Sequence, residues 1–522
     1  MKKIFLFLVC ISLLGFARAQ NPTDKLLEFF NILNFSYVDT FNFNKLSEKA
    51  IISMLAELDP HSLYIPADKV QEMNESLQGE YEGIGVQFDM YKDTVLVVSV
   101  VHDGPSYVAG MISGDKIIKA DGEAVSGQGL SDSEIISRLR GESGSVVKLE
   151  IKRRNTGSPV HLEIKRGKIP ISSVDASYML DKETGYIKIN RFSRNTFTEF
   201  KAAIKELKDQ NVVNLVLDLR DNGGGYLVSA VNLADEFLVG RKEIVTTKGL
   251  RQSQQVYRSD PGGIFQEGRL VVLINEGTAS ASEIFAGAIQ DWDRGIIMGR
   301  RSFGKGLVMK PYTFSDGSMM RLTTSKYYTP SGRCIQKEYG ASKDTYDNEI
   351  FERSVHGELF SEDSIEISRD LIYKTAAGRT VYGGGGIIPD IFVPADTILS
   401  SDIFQEIFKS GAFIDYSMDF TEKNRVALSA YKDVNSLIRD SVLGKTIVQG
   451  FEQHLMDKEI IKAPLDEITY PYISRQLLAF VSRNLWDDSQ YHRAINSNQA
   501  IINKALQVIN NKEFNWDELS DK

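Results

Sequence analysis

Hydrophobic residues follow different periods along the chain, and the changes of period predict its organisation. Between residues 46 and 58, apolar positions recur every three or four residues, which predicts a helix that ends at Asp59-Pro60. From about residue 80 to 166, short β-branched runs are separated by glycines, a pattern typical of a small domain built from strands. The clearest of these strands are expected over 95–101 and 146–151.

A third pattern begins at residue 169, where buried strands alternate with helices. Strands are expected over 212–219, 270–274 and 296–298. Such alternation is typical of a parallel sheet with right-handed crossovers, and from about residue 400 the pattern becomes mostly helical. We therefore expect a multidomain α/β protein with an N-terminal helical region at 20–78, a strand-rich domain at 79–168, an α/β core at 169–395 and a helical C-terminal region at 396–522.

The first nineteen residues have the pattern of a secretory signal peptide. Lys2 and Lys3 precede an apolar run over 4–16, and the small-x-small pattern Ala17-Arg18-Ala19 follows it. The run is shorter than the roughly 20 residues that span a bilayer, so we expect cleavage after Ala19; an uncleaved anchor is the alternative. No later segment is long and apolar enough to span a membrane. An exported protein is predicted, either periplasmic or secreted.

Composition and charge exclude several classes of ligand. The net charge is −9 and no basic stripe is present, which argues against a nucleic-acid partner. Cys334 is the one cysteine left after signal removal, so no internal disulfide is possible. The six histidines show no metal-ligand spacing. We therefore expect neither a metal nor another cofactor.

Candidate chemistry lies where the strand over 270–274 passes into a helix. Ser280 would stand at the helix N-terminus, where free backbone N–H groups favour negative charge. A nucleophile there could use the next N–H to stabilise an oxyanion. The alternative is that Ser280 and Glu283 form a capping box, with Ser280 as an ordinary helix cap.

A nucleophilic serine needs a base, and no histidine lies near a suitable turn. Lys305, flanked by Gly304 and Gly306, follows the third strand of the core. Lysine can accept a proton near neutral pH if its pKa falls from about 10.4 to roughly 7–8, and burial can supply such a shift. The alternative is an ordinary solvated lysine in a loop.

The order of short motifs identifies a family. The chain resembles the carboxyl-terminal processing proteases, also called tail-specific proteases, over nearly its whole length. The resemblance rests on motifs that occur in the family's order: Leu58-Asp59-Pro60-His61-Ser62, Gly83-Ile84-Gly85, Gly114-Asp115-Lys116-Ile117-Ile118, Asp218-Leu219-Arg220-Asp221-Asn222-Gly223-Gly224-Gly225, Ser280-Ala281-Ser282-Glu283, Phe303-Gly304-Lys305-Gly306, Tyr327-Tyr328-Thr329-Pro330-Ser331-Gly332-Arg333 and Gly386-Ile387-Ile388-Pro389-Asp390.

The resemblance implies a serine endopeptidase with a serine-lysine pair on a crotonase-like α/β core. The family's spacing of twenty-five residues between serine and lysine selects Ser280, and not Ser282, as the partner of Lys305. It implies that the N–H of Ala281 is one oxyanion donor. The second is expected from the glycines at 223–225, with Gly225 favoured; the alternative is that these glycines only form a tight turn.

A third catalytic residue is less well defined by the resemblance. Some relatives have an acid eleven residues after the serine, which here is Asp291. Others have a glutamine four residues after the lysine, where this chain has Met309. A thioether cannot orient a lysine as an amide does. A carboxylate paired with Lys305 would raise the pKa of the lysine and oppose its role as base. Asp291 is therefore expected to act as an orienting residue through a hydrogen bond, or to belong to an inactive resting state. The alternative is a solvated acid near the end of the helix.

The resemblance also identifies residues 79–168 as a PDZ-like domain. Such domains add an extended peptide as a strand and hold its terminal carboxylate on backbone N–H groups. Gly83, Ile84, Gly85 and Val86 are the expected carboxylate loop, and protein or peptide substrates with small or apolar C-termini are the expected partners. In the alternative, the glycines form a turn in a domain that only gates the active site.

Other interpretations remain open at the level of the sequence. His61 is interpreted as structural, and the acid-rich residues 340–375 as a surface insertion. The helical region from residue 396 is predicted to cap the core or to support a homodimer. Two other functions compete with the protease: a PDZ adaptor with an impaired core, supported by Met309, and an enzyme acting on acyl thioesters.

Overall fold

The computed structural model describes residues 21–91, 93–153, 156–340, 342–368, 370–511 and 516. The predicted signal peptide, residues 1–19, lies outside the described residues. The chain forms two compact units, one ending at Leu58 and one beginning at Asp59. In the described part of the chain, no helix combines the length and apolar character needed to cross a membrane.

The first unit contains two helices, α1 (Pro22–Ser36) and α2 (Phe43–Ala56). Both begin at an asparagine whose side chain accepts a backbone N–H of the first turn, a strong start signal for a helix. Helix α2 confirms the helix predicted over 46–58, and Leu55 on it is buried.

The second unit begins with strand β1 (Leu63–Ile65) and helix α3 (Ala67–Gln78). β1 pairs antiparallel with the strand Met319–Tyr328 of the core. Residues 63–65 of the predicted N-terminal helical region (20–78) therefore form a strand of a core sheet, and the boundary at residue 78 stays a prediction. The sequence did not predict this strand, because it is three residues long and its partners lie more than 250 residues away along the chain.

The predicted PDZ-like domain contains a small antiparallel sheet and two helices. Its sheet has the order β3-β4-β5-β7-β8, with β6 on β5, and a separate β2-β9 ladder joins the domain to the core. The core of the domain is apolar and includes Ile117 and Val147, both fully buried. The elements are β2 (Glu80–Gly83), β3 (Val86–Met90), β4 (Val95–Val100), α4 (Pro105–Val108), β5 (Lys116–Ala120), β6 (Glu123–Ala124), α5 (Asp132–Leu139), β7 (Val146–Lys152), β8 (Val160–Lys165) and β9 (Gly167–Pro170).

The α/β core follows, as the alternating pattern predicts. Its elements are β10 (Val174–Met179), β11 (Thr184–Ile189), α6 (Thr196–Asp209), β12 (Asn214–Asp218), α7 (Leu227–Asp235), β13 (Glu243–Gly249), β14 (Gln252–Arg258), β15 (Leu270–Ile274), α8 (Ala281–Asp291), β16 (Ile296–Gly299), β17 (Leu307–Thr313), β18 (Met319–Tyr328), α9 (Lys343–Val355), a 3-10 turn (Glu362–Ser364), β19 (Ile372–Lys374), β20 (Thr380–Tyr382) and β21 (Ile391–Phe392).

Two sheets organise this core. The central sheet has the order β10-β11-β12-β15-β16-β21 and is parallel except for the β10-β11 pair. A second, antiparallel sheet contains β1, β18, β13, β14 and β17. Leu215 and Leu217 on β12 pack with helices α6, α7 and α8, and Val216 faces the opposite side. Both faces of the central sheet are therefore covered, which explains its continuous apolar strands.

The C-terminal region is helical, as predicted. Val508 and Ile509 near its end pack with Val216 and Leu273 on the central sheet, so this part of the region caps the core. The preceding helices form an apolar cluster of their own. The helices are α10 (Asp402–Lys409), α11 (Ala412–Leu428), α12 (Val434–Arg439), α13 (Ser441–Asp457), α14 (Tyr470–Leu485), α15 (Asp488–Asn496) and α16 (Ala500–Asn510).

Candidate active site

Two loops meet at the carboxyl edge of the central sheet, because β12 and β15 are parallel neighbours. The amide of Asn275 donates to Asp221 at 2.8 Å, and its carbonyl oxygen accepts the N–H of Asp221 at 2.8 Å. The hydroxyl of Thr278 donates to the carbonyl of Leu219 at 2.8 Å. The glycine-rich loop after β12 and the serine loop after β15 are therefore held together.

Asp218 anchors the first of these loops at the end of β12. It is fully buried and binds the guanidinium of Arg220 at 2.5 Å and the hydroxyl of Tyr186 at 2.7 Å. Burial opposes its ionisation, but Arg220 and Lys188 outweigh that effect and hold the pKa of Asp218 well below its usual range. The loop thus begins at an ionised carboxylate, Asp218, whose position is fixed by its hydrogen bonds to Arg220 and Tyr186.

Ser280 lies at the point where the second loop enters helix α8. Its backbone has φ 57° and ψ −117°, outside the regions that side-chain-bearing residues normally occupy. Such a conformation costs about 1–3 kcal/mol and persists where surrounding contacts enforce it, often at functional sites. Here the N–H of Ser280 donates to Glu283 at 2.7 Å and its carbonyl accepts the hydroxyl of Tyr327 at 2.9 Å. The turn resembles a nucleophile elbow, in which a strained strand-to-helix turn exposes the side chain of the nucleophile.

Lys305 is held by the same two side chains. Its N–H donates to Glu283 at 2.9 Å, and its carbonyl accepts the hydroxyl of Tyr327 at 2.6 Å. Glu283 and Tyr327 therefore fix the backbones of both predicted catalytic residues at once. Within the described residues, Lys305 Nζ and Ser280 Oγ are not hydrogen-bonded to each other.

The surroundings of Lys305 favour its neutral form. Burial lowers the pKa of Lys305 below that of a free lysine, and the positive charge of Arg321 adds to this. Glu283 and Asp59 act in the opposite direction, but burial is the largest effect. The direction of the net shift is the one that a general base requires.

The carboxylate of Glu283 accepts four hydrogen bonds from residues of the site. Besides the N–H groups of Ser280 and Lys305, it accepts the hydroxyl of Ser302 at 2.5 Å and the N–H of Gly304 at 2.7 Å. Burial raises its pKa, and these four donors oppose that rise. All four contacts are donors to oxygen, so they match the ionised, acceptor-only form of the carboxyl. The sequence pattern revealed Glu283 only as the far end of a capping box.

The motif at 59–62 lies beside Lys305. Asp59 accepts the N–H groups of His61 and Ser62, both at 2.8 Å, which forms a tight turn. Burial, followed by the positive charge of Lys305, lowers the pKa of His61 to about 4. His61 is therefore neutral at neutral pH. Its Nε2 lies 2.8 Å from the hydroxyl of Tyr346.

Tyr346 is a buried aromatic within residues 340–375, a segment whose other described side chains are mostly exposed or half-buried. It is 1% exposed, and the insertion's first helix, α9, carries it. The side chain of Gln336 donates to its hydroxyl at 3.3 Å and accepts the N–H of Gly306 at 2.8 Å. A polar chain therefore runs from the Lys305 loop to His61. The acidic composition of the segment concealed this buried aromatic.

The structure does not bring Asp291 to Lys305. Asp291 is the last residue of α8, about 15 Å along the helix from its first turn. Its carboxylate accepts from Arg333 at 2.8 Å and from the N–H of Ser331 at 2.9 Å. It is 2% exposed, so it is not the solvated acid of the alternative interpretation either. Asp291 is half of a buried ion pair that ties the 327–333 motif to the helix end.

The glycine loop lies directly against Ser280. A methyl group on Gly224 would come within 2.8 Å of the Ser280 Cβ and 2.9 Å of the Ala281 nitrogen. The N–H of Gly224 is already bound to the side chain of Asn222 at 2.9 Å. Among the described residues, the N–H groups of Ala281 and Gly225 have no acceptor. The two predicted oxyanion donors are thus unoccupied, and their role stays a prediction.

Ser282 and Met309 have other surroundings. The hydroxyl of Ser282 donates to the carbonyl of Asn222 at 2.9 Å and is fully buried, so it links the two loops. Met309 lies on β17, paired with Thr323, whose hydroxyl donates to Asp59 at 3.1 Å.

The PDZ domain contains a groove between β3 and α5. The groove is a cavity of about 510 Å³ whose apolar wall includes Ile84, Val86 and Leu139. At the predicted carboxylate loop, the N–H groups of Ile84 and Gly85 have no acceptor among the described residues. Gly85 has φ +77°, a conformation that favours glycine. The groove and the free donors fit an extended peptide that ends at the loop.

The sequence did not identify Arg140, which lines the groove next to this loop. Its guanidinium pairs with Glu75 at 2.5 Å and lies over the ring of Tyr81, 4.6 Å from the ring centroid. It stands one residue after α5, where no motif of the sequence singled it out.

Family models match three parts of the chain. Residues 183–346 match peptidase family S41, and residues 83–168 match the PDZ domain. Residues 403–487 match a family of unknown function.

Curated relatives match about three fifths of the chain, 61% and 63% for the two described next. A carboxy-terminal-processing protease of Bartonella bacilliformis is 40% identical over 326 residues, which cover 61% of this chain and 74% of the relative. A probable CtpA-like serine protease of Staphylococcus haemolyticus is 35% identical over 334 residues, which cover 63% of this chain and 66% of the relative.

Among solved structures, a photosystem II D1 C-terminal processing protease is similar, with 30% identity and a TM-score of 0.36 over 62% of this chain and 86% of the other. The sequence matches confirm the family that the motifs predicted, and they place the core among peptidases instead of enzymes acting on acyl thioesters. The chain belongs to peptidase family S41, with a PDZ domain and the relationship to carboxy-terminal-processing proteases that its motifs indicated.

Proposed function

We propose that this serine peptidase captures the C-terminal tail of a protein in the PDZ groove and cleaves with Ser280 as nucleophile and Lys305 as base. The observation that carries the proposal is the shared clamp: Glu283 binds the N–H of both residues, and Tyr327 binds the carbonyl of both. A single rigid unit therefore controls the relative position of nucleophile and base.

The proposed reaction has two halves. Neutral Lys305 takes the proton of the Ser280 hydroxyl while the oxygen attacks the scissile carbonyl carbon. The N–H groups of Ala281 and Gly225 stabilise the oxyanion, and the lysine ammonium then protonates the leaving amine as the C–N bond breaks. In the second half, Lys305 takes a proton from a water whose oxygen attacks the acyl-enzyme ester; as the ester C–O bond breaks, the lysine ammonium returns that proton to the Ser280 oxygen and the acid product leaves. The first step requires Nζ of Lys305 to turn onto the Ser280 hydroxyl.

Tail capture is the second part of the proposal. The PDZ match and the free N–H groups of Ile84 and Gly85 support binding of a terminal carboxylate. The apolar wall formed by Val86 and Leu139 favours small or apolar last residues. Export to the periplasm or beyond, and a homodimer or adaptor partner, stay predictions.

Cleavage of an unfolded polypeptide with an apolar C-terminus tests the mechanism. We expect the parent to cleave it, and Ser280→Ala and Lys305→Ala to lose cleavage while still binding the tail. Lys310→Ala is the matched control, because its amine lies at the surface and contacts Gln252. Binding without cleavage by the parent would instead support the adaptor function that Met309 suggested.

A further inference from the structure

The C-terminal helical region packs directly on the PDZ domain. Met418 on α11 forms an apolar cluster with Leu96 and Val98 on β4. Asp419 accepts a hydrogen bond from the hydroxyl of Tyr91 at the end of the β3-β4 hairpin. The part of the chain that matches a family of unknown function therefore lies beside the peptide groove.

One residue of this region reaches into the groove itself. Arg483 on α14 lines the cavity together with Asp89 on β3 and Asp132 at the start of α5. Its Nη2 lies 3.2 Å from the carboxylate of Asp89. No other residue of 396–511 lines the cavity.

Most of the N–H donors of the Arg483 guanidinium make no hydrogen bond within the described residues. A guanidinium carries five N–H donors, and in the described residues the only hydrogen bond that Arg483 donates from its side chain is the one to Asp89. Its Nε is buried and has no hydrogen-bond partner there. The buried Nε is closed to a ligand, but the Arg483 side chain as a whole is 23% exposed, so a carboxylate in the groove can accept from the Nη donors that the contact to Asp89 leaves unused.

The strand register sets which ligand residue would reach this point. A peptide added antiparallel to β3 pairs residue for residue and ends at the loop that leads into Val86. Asp89 lies three residues beyond Val86. The ligand residues three and four positions before the C-terminal residue therefore pass beside Asp89 and Arg483.

We infer that Arg483 is a specificity-determining residue of the groove, which binds a carboxylate side chain three or four positions before the substrate's C-terminal residue. The inference rests on the proposed tail capture. Hydrogen bonds from a guanidinium to a carboxylate are short and about twice as strong as neutral ones. The spare donors allow the ligand carboxylate to bind while the contact to Asp89 remains.

Other charges face the same end of the groove. Asp89 is on β3 and Asp132 on α5, and burial raises the pKa of Asp89 while Arg483 opposes the rise. Arg140 lines the opposite end, next to the carboxylate loop. The two acids could attract a basic ligand, so a basic peptide belongs in the test.

Peptide binding to the full chain carrying Ser280→Ala measures the preference without cleavage. Three ten-residue peptides share an apolar C-terminus and differ at the two positions named above, which hold glutamates, glutamines or lysines. Fluorescence anisotropy gives each Kd. We expect the glutamate peptide to bind about tenfold more tightly than the glutamine peptide, the effect of one charge-assisted hydrogen bond, and the lysine peptide to bind most weakly.

Two substitutions separate specificity from simple structural support. Arg483→Gln should abolish the advantage of the glutamate peptide, whereas Asp89→Asn should keep or enlarge it, because it leaves Arg483 free for the ligand. If Arg483 only held the helices on the PDZ domain, both changes would weaken all three peptides equally. Arg425→Gln is the matched control. Arg425 lies in the same region, near Gly114 of the PDZ domain, and pairs with Glu422 outside the groove.

Three results would overturn the inference: an undiminished glutamate preference in Arg483→Gln, equal weakening of all peptides by both substitutions, or tightest binding of the lysine peptide. Failure of every peptide to bind would instead overturn tail capture, and this inference with it. Cleavage by the parent chain would remain a separate measurement.

Discussion

The carboxylate of Glu283 accepts the backbone N–H of Lys305 at 2.9 Å, and the same oxygen accepts the N–H of Ser280 at 2.7 Å. One atom thus joins the helix start that carries the predicted nucleophile to the loop that carries the predicted base. The contact to Ser280 is half of the cap that the sequence pattern suggested. The cap and the nucleophile are therefore parts of one arrangement.

Substitution Glu283→Gln tests this arrangement through the pH profile. An amide oxygen cannot accept all four donors, so we expect kcat to fall about tenfold to hundredfold as the pair loses its position. Loss of the negative charge destabilises the Lys305 ammonium and lowers the pKa of the lysine further. Because the lysine must be neutral to act, the rising limb of kcat/KM should move to lower pH. Glu276→Gln, which removes a nearby carboxylate bound to Arg300, should leave the limb in place. A fall in kcat without a shift of the limb would assign Glu283 a purely structural role.

Substitution Gly224→Ala should abolish activity. The position has φ +96°, and the added methyl would lie 2.7 Å from the carbonyl of Ala279 and 2.8 Å from Ser280 Cβ. Either the loop or Ser280 must move, and the proposed oxyanion donors Ala281 and Gly225 move with it. Gly262→Ala is the control for backbone strain alone, since its φ is +106° and nothing lies within 4 Å of the new methyl. Cleavage rates and thermal unfolding of both variants measure the difference. Full activity of Gly224→Ala would contradict the placement of the glycine loop at the reaction centre.

Substitution Asp291→Ala should lower the free energy of unfolding and leave the pKa of Lys305 unchanged. It leaves Arg333, which is fully buried, without its carboxylate partner. Removal of one partner of a buried pair costs about 3–5 kcal/mol, measurable as a loss of unfolding free energy in urea. Asp209→Ala is the matched control: it also ends a helix, but its pair with Lys205 is exposed and worth about 0–1 kcal/mol. A shift of the kcat/KM limb in folded Asp291→Ala would restore the catalytic role.

Substitution His61→Gln should change the acid sensitivity of the fold. The folded protein holds the pKa of His61 at about 4, below the value of about 6.5 in an unfolded chain. The unfolded state therefore binds more protons between these values, and stability is lost as the pH falls from about 6.5 to 4. The variant should lose less stability over this window. His102→Gln, on an exposed side chain of the PDZ domain, should follow the parent. Identical slopes for His61→Gln and the parent would contradict the half-buried, neutral state of His61.

The sequence alone determined the large features of this protein. Continuous apolar strands at 212–219 and 270–274 predicted the parallel core, because buried strands leave no polar face. Ordered motifs predicted the family, and the spacing of Ser280 and Lys305 selected a pair that the structure places on a common clamp. Apolar runs and the order of motifs are properties of the chain itself, so the sequence is enough to recognise them.

Only the tertiary structure decided which side chains surround that pair. Tyr327 was part of a family motif and Tyr346 of none, but neither position indicated a contact with Ser280, Lys305 or His61. Asp291 satisfied a family spacing, yet Arg333 binds it at the far end of the helix. Arg483 reaches the PDZ groove from more than 300 residues away. Contacts of this kind depend on how separate elements pack, and packing is a property of the whole fold that local sequence pattern does not encode.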